Sequence, residues 1–431
     1  MDLHLFLSSF PILAEMWMKT TPNEVNIESL TISDTPLVPA LFNAYLECLP
    51  YLRTLHSITI LPSPKDKWYL SDAHLIQLVS VLATQQCPEF DSLHIPNQRI
   101  GVKGIDAFVS LFINNHLLKC YDIDMSNNRI GDKGAIALAK LFNHISQSVF
   151  IQRLCISGNG IKGRGGTSLL NSLGSEERIL LQEIDVSENP LSTSTLQLLF
   201  NQIDVHRYPR LRKLTLSSIP IAYSAMICLA SAIRHRMLRQ LTSLNLSNCS
   251  LSTELLQVLS GAVLDEPLQR LKFLSLAKNQ IKKKGMRNVA VLLQRRCLPS
   301  LEKAELSENP FGDEGLQELT APDLERVLEQ VKTLSLVHCH IENEGGYLIY
   351  DNIRLGFWRE IKELNLGKNK CGGICIMQLR ALLEEDNELH SLIISDSKKE
   401  RKEMVMKRRS KSHEEVLRLA KHKYGMLSPT A

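Results

Sequence analysis

The sequence predicts an α/β repeat solenoid, and three regularities predict it. Offset by thirty residues, the stretches DIDMSNNRIGDKG, RLCISGNGIKGRG, SLNLSNCSLS, FLSLAKNQIKKKG and ELNLGKNKCGG fall into one column. Within them the first apolar residue of an alternating core recurs as Leu93, Ile123, Leu154, Ile184, Leu214, Leu244, Leu274, Ala304, Leu334 and Leu364, and Leu30, Ile58 and Leu392 extend the series. Such alternation is the mark of a half-buried strand. After each turn comes a second apolar column, Phe108, Leu138, Leu169, Leu199, Leu229, Leu259, Val289, Leu319, Ile349 and Leu379, often with another apolar residue four later, which is helical spacing.

Each unit is therefore a strand, a turn and an amphipathic helix. One unit buries too little alone, so neighbours must stack. The turn carries its own column, Asn128, Asn159, Asn189, Asn279, Asn309 and Asn369, with Cys249 and Cys339 replacing Asn. A side chain turned inward there is expected to satisfy buried backbone groups, each of which costs about 1–3 kcal/mol if left unpaired. Glycine follows at Gly104, Gly134, Gly165, Gly285, Gly315 and Gly345, where the chain enters the helix. Ile219, followed by Pro220, breaks the Asn column and predicts a local irregularity.

The pattern L-x-x-L-x-L-x-x-N/C-x-L followed by G-x-x-x-L resembles leucine-rich repeats of the ribonuclease-inhibitor type, over residues 27–397 and about thirteen units. The resemblance implies a horseshoe, with a parallel strand ladder on the concave face and helices on the convex face. Strands about 4.8 Å apart beside helices about 10 Å wide force such a stack to curve. Residues 1–26, with Met16, Trp17 and Met18, are expected to form an N-terminal cap. Residues 398–431 are expected to form a basic, helical C-terminal tail, since 398–424 lacks Gly and Pro and spaces Met404, Val405, Val416, Leu417 and Leu419 as a helix would.

Two local patterns mimic chemical sites. Gly158, Gly160 and Gly163 spell G-x-G-x-x-G, the dinucleotide fingerprint, yet in register they surround the turn residue Asn159. His338, Cys339 and His340 with Glu342 and Glu344 look like metal ligands, but Cys339 belongs to the turn column. Cys371 and Cys375 read as small core hydrophobes. The scattered histidines assemble no catalytic constellation, so no enzyme activity, cofactor or metal is expected.

Ten cysteines without a C-x-x-C pair point to a reducing compartment, hence the cytoplasm. Residues 3–13 lack the flanks of a signal peptide, and no apolar run reaches the roughly 18 residues of a membrane span. Residues 398–423 hold eleven basic and four acidic side chains, +7 against a net +4, leaving about −3 for the body. Lys407, Arg408, Arg409 and Lys411 offer a nuclear import signal, and Ser412 a basophilic kinase site.

The inner face is expected to present Asp122 and Asp124, then Arg153, then Glu183 and Asp185, an acidic patch about 10 Å across, with Lys213, Phe273, Lys303 and Glu305 further along. A basic ridge is expected at the helix-to-strand edge: Arg207, Arg210, Arg212, Arg234, Arg236, Arg239, Arg270, Lys272, Arg295 and Arg296. The ridge lacks interleaved aromatics, which argues against nucleic acid. The sequence reading is thus a non-enzymatic scaffold, monomeric alone, that binds a protein partner along its concave face. An alternative rests on resemblance to Ran GTPase-activating proteins, which share the repeat class; they end in an acidic tail, whereas this tail is basic, and their functional Asn and Arg match no particular position here.

Overall fold

The computed structural model describes residues 2–5, 27–33, 39–63, 68–83, 90–114, 121–144, 151–175, 180–205, 207–321, 323–324, 326–383, 388–395 and 403–407. Its described residues form one fifteen-stranded sheet whose strands lie in chain order. The strands are β1 (Asp2–Leu5), β2 (Ser29–Ile32), β3 (Ser57–Ile60), β4 (Ser92–His94) and β5 (Asp122–Asp124). They continue with β6 (Arg153–Cys155), β7 (Glu183–Asp185), β8 (Lys213–Thr215), β9 (Ser243–Asn245) and β10 (Phe273–Ser275). The last are β11 (Lys303–Glu305), β12 (Thr333–Ser335), β13 (Glu363–Leu366), β14 (Ser391–Ser395) and β15 (Glu403–Lys407).

Pairing is parallel from β1 through β14, and the alternating apolar column sets the register. Leu30 lies beside Ile58, Ile58 beside Leu93, Leu154 beside Ile184, and so on to Leu364 beside Leu392. A slip of one residue would turn the apolar set outward, so burial fixes the register. Helices return between the strands: α1 (Pro39–Cys48), α2 (Asp72–Leu82), α3 (Val102–Asn114), α4 (Gly131–His144), α5 (Gly163–Ser175) and α6 (Thr193–Asp204). Then come α7 (Tyr223–Arg234), α8 (Thr253–Asp265), α9 (Lys283–Leu292), α10 (Gly312–Gln317), α11 (Asn343–Arg354) and α12 (Gly373–Ala381). The second apolar column, Phe108 through Leu379, is buried against the strands, and one continuous core runs from Ile27 to Ile394. The result is a solenoid with the strand ladder on its concave face and helices on its convex face. In the unit of β11 the helix shortens to six residues, and Leu319 reaches the core from a 3-10 turn at Glu318–Thr320.

The Asn column stitches one unit to the next. Asn159 Oδ1 accepts from the backbone N–H of Asn128 at 3.1 Å, and its Nδ2 donates to the carbonyls of Met125 and Ile156, both at 2.9 Å. Asn128, Asn189, Asn279, Asn309 and Asn369 repeat this pattern. A thiol can donate but is a poor acceptor. Accordingly Cys249 Sγ donates to Leu216 O at 3.1 Å and Cys339 Sγ to Leu306 O at 3.5 Å, while the N–H that an amide oxygen would accept, that of Phe311, turns to the carbonyl of Asn309 at 2.9 Å. At Ile219 the same substitution appears: the N–H of Leu191 is taken by the carbonyl of Asn189 at 2.7 Å. Gln98 fills the column one unit earlier, receiving the N–H of Leu70 at 2.7 Å and donating to Ile60 O at 2.9 Å.

The two ends differ from expectation in one respect and extend it in another. β1 lies within the expected cap and adds a parallel strand ahead of β2, with Leu3 beside Leu30; residues 6–26, with Met16, Trp17 and Met18, lie outside the described residues. The helix expected over 398–424 is corrected at 403–407, where β15 pairs antiparallel with β14, Val405 beside Ile393 and Met404 beside Ile394. The run Met404, Val405, Met406 suits a strand, and the open edge of β14 offers unpaired backbone groups that a strand satisfies and a helix cannot. Residues 408–431, which include Val416, Leu417 and Leu419 and the basic cluster after Lys407, lie outside the described residues. Among the described residues no helix is long and apolar enough to cross a membrane.

Candidate protein-binding face

The fingerprint glycines take turn roles. Gly158 and Gly160 adopt left-handed φ of +63° and +67°, and Gly163 opens α5. The N-terminus of α5 is already occupied: Asp132 of the preceding unit accepts from Lys162 N at 2.7 Å and Gly165 N at 3.2 Å. A carboxylate there stabilises the helix dipole in the place where a phosphate would bind. The same device recurs as Asp72 on Gly101 N, Asp313 on Glu342 N and Asn343 on Gly372 N. It also explains Gly104, Gly165 and Gly345, since a Cβ on Gly165 would lie 2.7 Å from Asp132 Cα, whereas at Gly134, Gly285 and Gly315 a Cβ would meet Ile130, Ile281 and Phe311.

The histidine and cysteine group separates in space. Cys339 is fully buried in the turn column, while His338 and His340 are exposed with ring centroids 5.6 Å apart. Among the described residues no group of three or more His, Cys, Asp or Glu is arranged to hold a metal ion.

On the concave face the structure brings five of the expected residues, joined by His94, into one network. Arg153 on β6 lies between β5 and β7: Nη1 meets Asp122 at 3.0 Å, Nη2 meets Asp124 at 3.5 Å, and Nε meets Glu183 at 3.4 Å. Lys213 Nζ closes the far side on Glu183 at 3.0 Å, and His94 Nε2 closes the near side on Asp122 at 3.0 Å. Burial opposes the charge of Asp122, but the hydrogen bonds and charges of His94 and Arg153 outweigh it and hold the carboxyl below the usual range. Burial likewise opposes the Arg153 cation, and the Cys155 sulfur, Asp122 and Glu183 outweigh that, raising its pKa.

Asp185 is the exception. It accepts from Ser187 N at 2.9 Å but meets no cation among the described residues, and burial, with Asp124 and Glu183 adding to it, pushes its pKa up. Burial also raises the Cys155 thiol, so no thiolate nucleophile arises there.

Phe273, Lys303 and Glu305 form a second group, apart from the first. Lys303 Nζ sits 5.6 Å from the Phe273 ring centroid, a cation–π contact, and Glu305 accepts from Ser307 N at 3.2 Å. Two strand spacings, about 10 Å, separate β8 from β10.

A groove of about 590 Å³ runs along the rim where the strands begin, from Asp91 past Tyr121, Gln152 and Gln182 to Arg212 and Lys213. Its floor is the Asp122, Arg153 and Glu183 network. The rim pairing was not readable from the sequence, since which charges of adjacent strands meet depends on rotamers rather than on spacing.

Comparison with known families identifies three of the units. Family models described as Leucine Rich repeat and Leucine Rich Repeat match residues 122–139 and 331–349, and residues 240–262. The three matched units are leucine-rich repeats. Each matched segment begins at or just before a strand, β5, β12 or β9, and ends in the helix after it. Among solved structures, the Rad7 and Elc1 complex of yeast is similar at 12% identity over 85% of this chain and 84% of that chain, with a TM-score of 0.48. An internalin, InlF, of Listeria monocytogenes is similar at 18% identity over 80% of this chain and 82% of that one, with a TM-score of 0.42. No curated protein matches.

Proposed function

We propose that the protein is a non-enzymatic scaffold that holds a protein partner along the concave face of its leucine-rich repeats, through Asp122, Asp124, Arg153, Glu183, Asp185 and Lys213, with Phe273, Lys303 and Glu305 as an outlying contact. One observation carries the reading: Arg153 cross-links three carboxylates from both neighbouring strands, so the polar surface is held in one arrangement before any partner arrives. Preorganisation of that kind reduces the ordering cost of association. Asp185, unpaired with any cation among the described residues, is the group that a partner's Lys or Arg would reach.

The thirty-residue period with a helix in most units supports assignment to the ribonuclease-inhibitor type, with residues 1–26 as its cap, 27–397 as its repeat domain and 398–431 as its basic tail. The free, mostly buried cysteines fit a cytoplasmic setting, with the Lys407–Lys411 cluster available for nuclear import. The test is affinity capture with tagged full-length protein, wild type against the double variant Asp124→Lys with Asp185→Lys. A stoichiometric partner held by the wild type and lost by the equally folded variant supports the reading, and an unchanged partner set overturns it.

A further inference from the structure

Along the helix-to-strand edge, most basic side chains have a carboxylate. Arg234 pairs with Asp265 at 2.8 Å, Arg236 with Glu266 at 3.0 Å, Lys272 with Glu302 at 3.2 Å and Arg295 with Glu329 at 3.4 Å. The same register positions in later units are neutralised too: Lys332 by Glu302, Arg359 by Glu329 and Lys362 by Glu388. Around β8 to β10 five arginines depart from this rule. Arg207, Arg210, Arg212, Arg239 and Arg270 are all exposed, and none meets a carboxylate among the described residues; Arg270 bonds only the neutral Gln240, at 2.5 Å.

Five guanidiniums thus stand within about 10 Å along the stack with no carboxylate partner among the described residues. Of the five, Arg212 lines one end of the 590 Å³ groove, whose floor is the carboxylate-rich network. We infer that this rim binds a carboxylate-rich segment of a protein partner, laid across the starts of β8, β9 and β10.

The chemistry favours protein over nucleic acid. Proteins that bind single strands interleave cations with exposed aromatic platforms. The one aromatic of the 207–212 stretch, Tyr208, is 2% exposed, with its hydroxyl on Gln202 at 2.7 Å, so no ring is presented among the arginines. An extended peptide instead places alternate side chains about 6–7 Å apart on one side, commensurate with one or two strand spacings. Guanidinium forks accept such carboxylates in bidentate fashion.

The proposal shares with the scaffold reading only the premise that a protein is the partner. The probe is a fluorescein-labelled eight-residue peptide of Asp and Glu, with its Asn and Gln counterpart as reference, titrated against the full chain by anisotropy. The acidic peptide is expected to bind, to weaken as salt rises, and to lose at least tenfold in affinity when Arg210, Arg212 and Arg239 become Glu. Reversal of the paired Lys332 and Lys362 is expected to change it less than twofold. Equal binding of the two peptides, indifference to the triple reversal, or tighter arginine-dependent binding of single-stranded RNA or phosphatidylserine vesicles would each overturn the assignment. Loss of the concave-face partner in Asp124→Lys with Asp185→Lys is a separate measurement, so either reading can fail without the other.

Discussion

Asp185 and Asn245 occupy the same place two repeats apart, and each accepts the backbone N–H two residues on, Ser187 at 2.9 Å and Ser247 at 3.0 Å. Asn365 does the same with Gly367 at 3.0 Å. In these repeats the side chain serves as an oxygen acceptor, a role that requires no charge.

For Asp185 the charge is a cost. Its folded pKa is raised, so as pH climbs the unfolded chain ionises first and stability falls through the carboxylate range. Asp185→Asn keeps the acceptor and removes the cost. Its melting temperature is expected to exceed that of the wild type at pH 7, with the gap closing below the ordinary carboxyl value of 3.8. Partner capture is expected to drop in the same variant, a gain in stability made at the expense of function. A melting temperature equal to the wild type at pH 7 would show that the burial is relieved by solvent.

Asp122 carries the opposite sign. Its folded pKa is depressed, so its contribution is present above 3.8 and disappears as pH falls through the folded value. Asp122→Asn is expected to destabilise at pH 7 and to become nearly neutral in strong acid. Arg153→Ala is expected to cost more, roughly 1–3 kcal/mol, since it strips hydrogen-bonded charge from Asp122, Asp124 and Glu183 together. Denaturant titration of the two variants at two pH values checks both the sign and the order.

Asn159→Ala should be costlier than either, about 3 kcal/mol or more, because it leaves the N–H of Asn128 and the carbonyls of Met125 and Ile156 to seek other partners in a buried turn. Asn159→Cys is expected to recover part of the loss, as the thiols of Cys249 and Cys339 serve the corresponding carbonyls in their own units. The concave face is untouched by both, so partner capture by the folded fraction should not change.

The contrast among these residues shows what the sequence could convey. Strand register was legible because Leu30 through Leu392 each define one unit, and parallel stacking then leaves no freedom. The Asn column was legible for the same reason, but Gln98, its longer version, was passed over although it stands thirty residues before Asn128. The Asp72, Asp132 and Asp313 caps were missed because each serves the following unit rather than its own helix, and only their recurrence at helix starts hinted at it. The strand at 403–407 reads as helix in the sequence because Met404 and Val405 fall among charged residues free of Gly and Pro, and the partner that makes them a strand, the bare edge of β14, exists only in the fold.

A last expectation separates the scaffold from a stimulator of small GTPases. Such stimulation asks for an arginine or amide side chain delivered in trans to the nucleotide's developing charge. Arg153, at the centre of the inner face, already holds three carboxylates, and withdrawing it would strand Asp122, Asp124 and Glu183 without their shared cation. GTP turnover by a panel of small GTPases should therefore be unchanged by an equimolar amount of the protein. Acceleration of tenfold or more, abolished by Arg153→Ala or by reversal of Arg210, Arg212 and Arg239, would mean that one of these guanidiniums is released to the nucleotide on docking, and the non-enzymatic reading would fall.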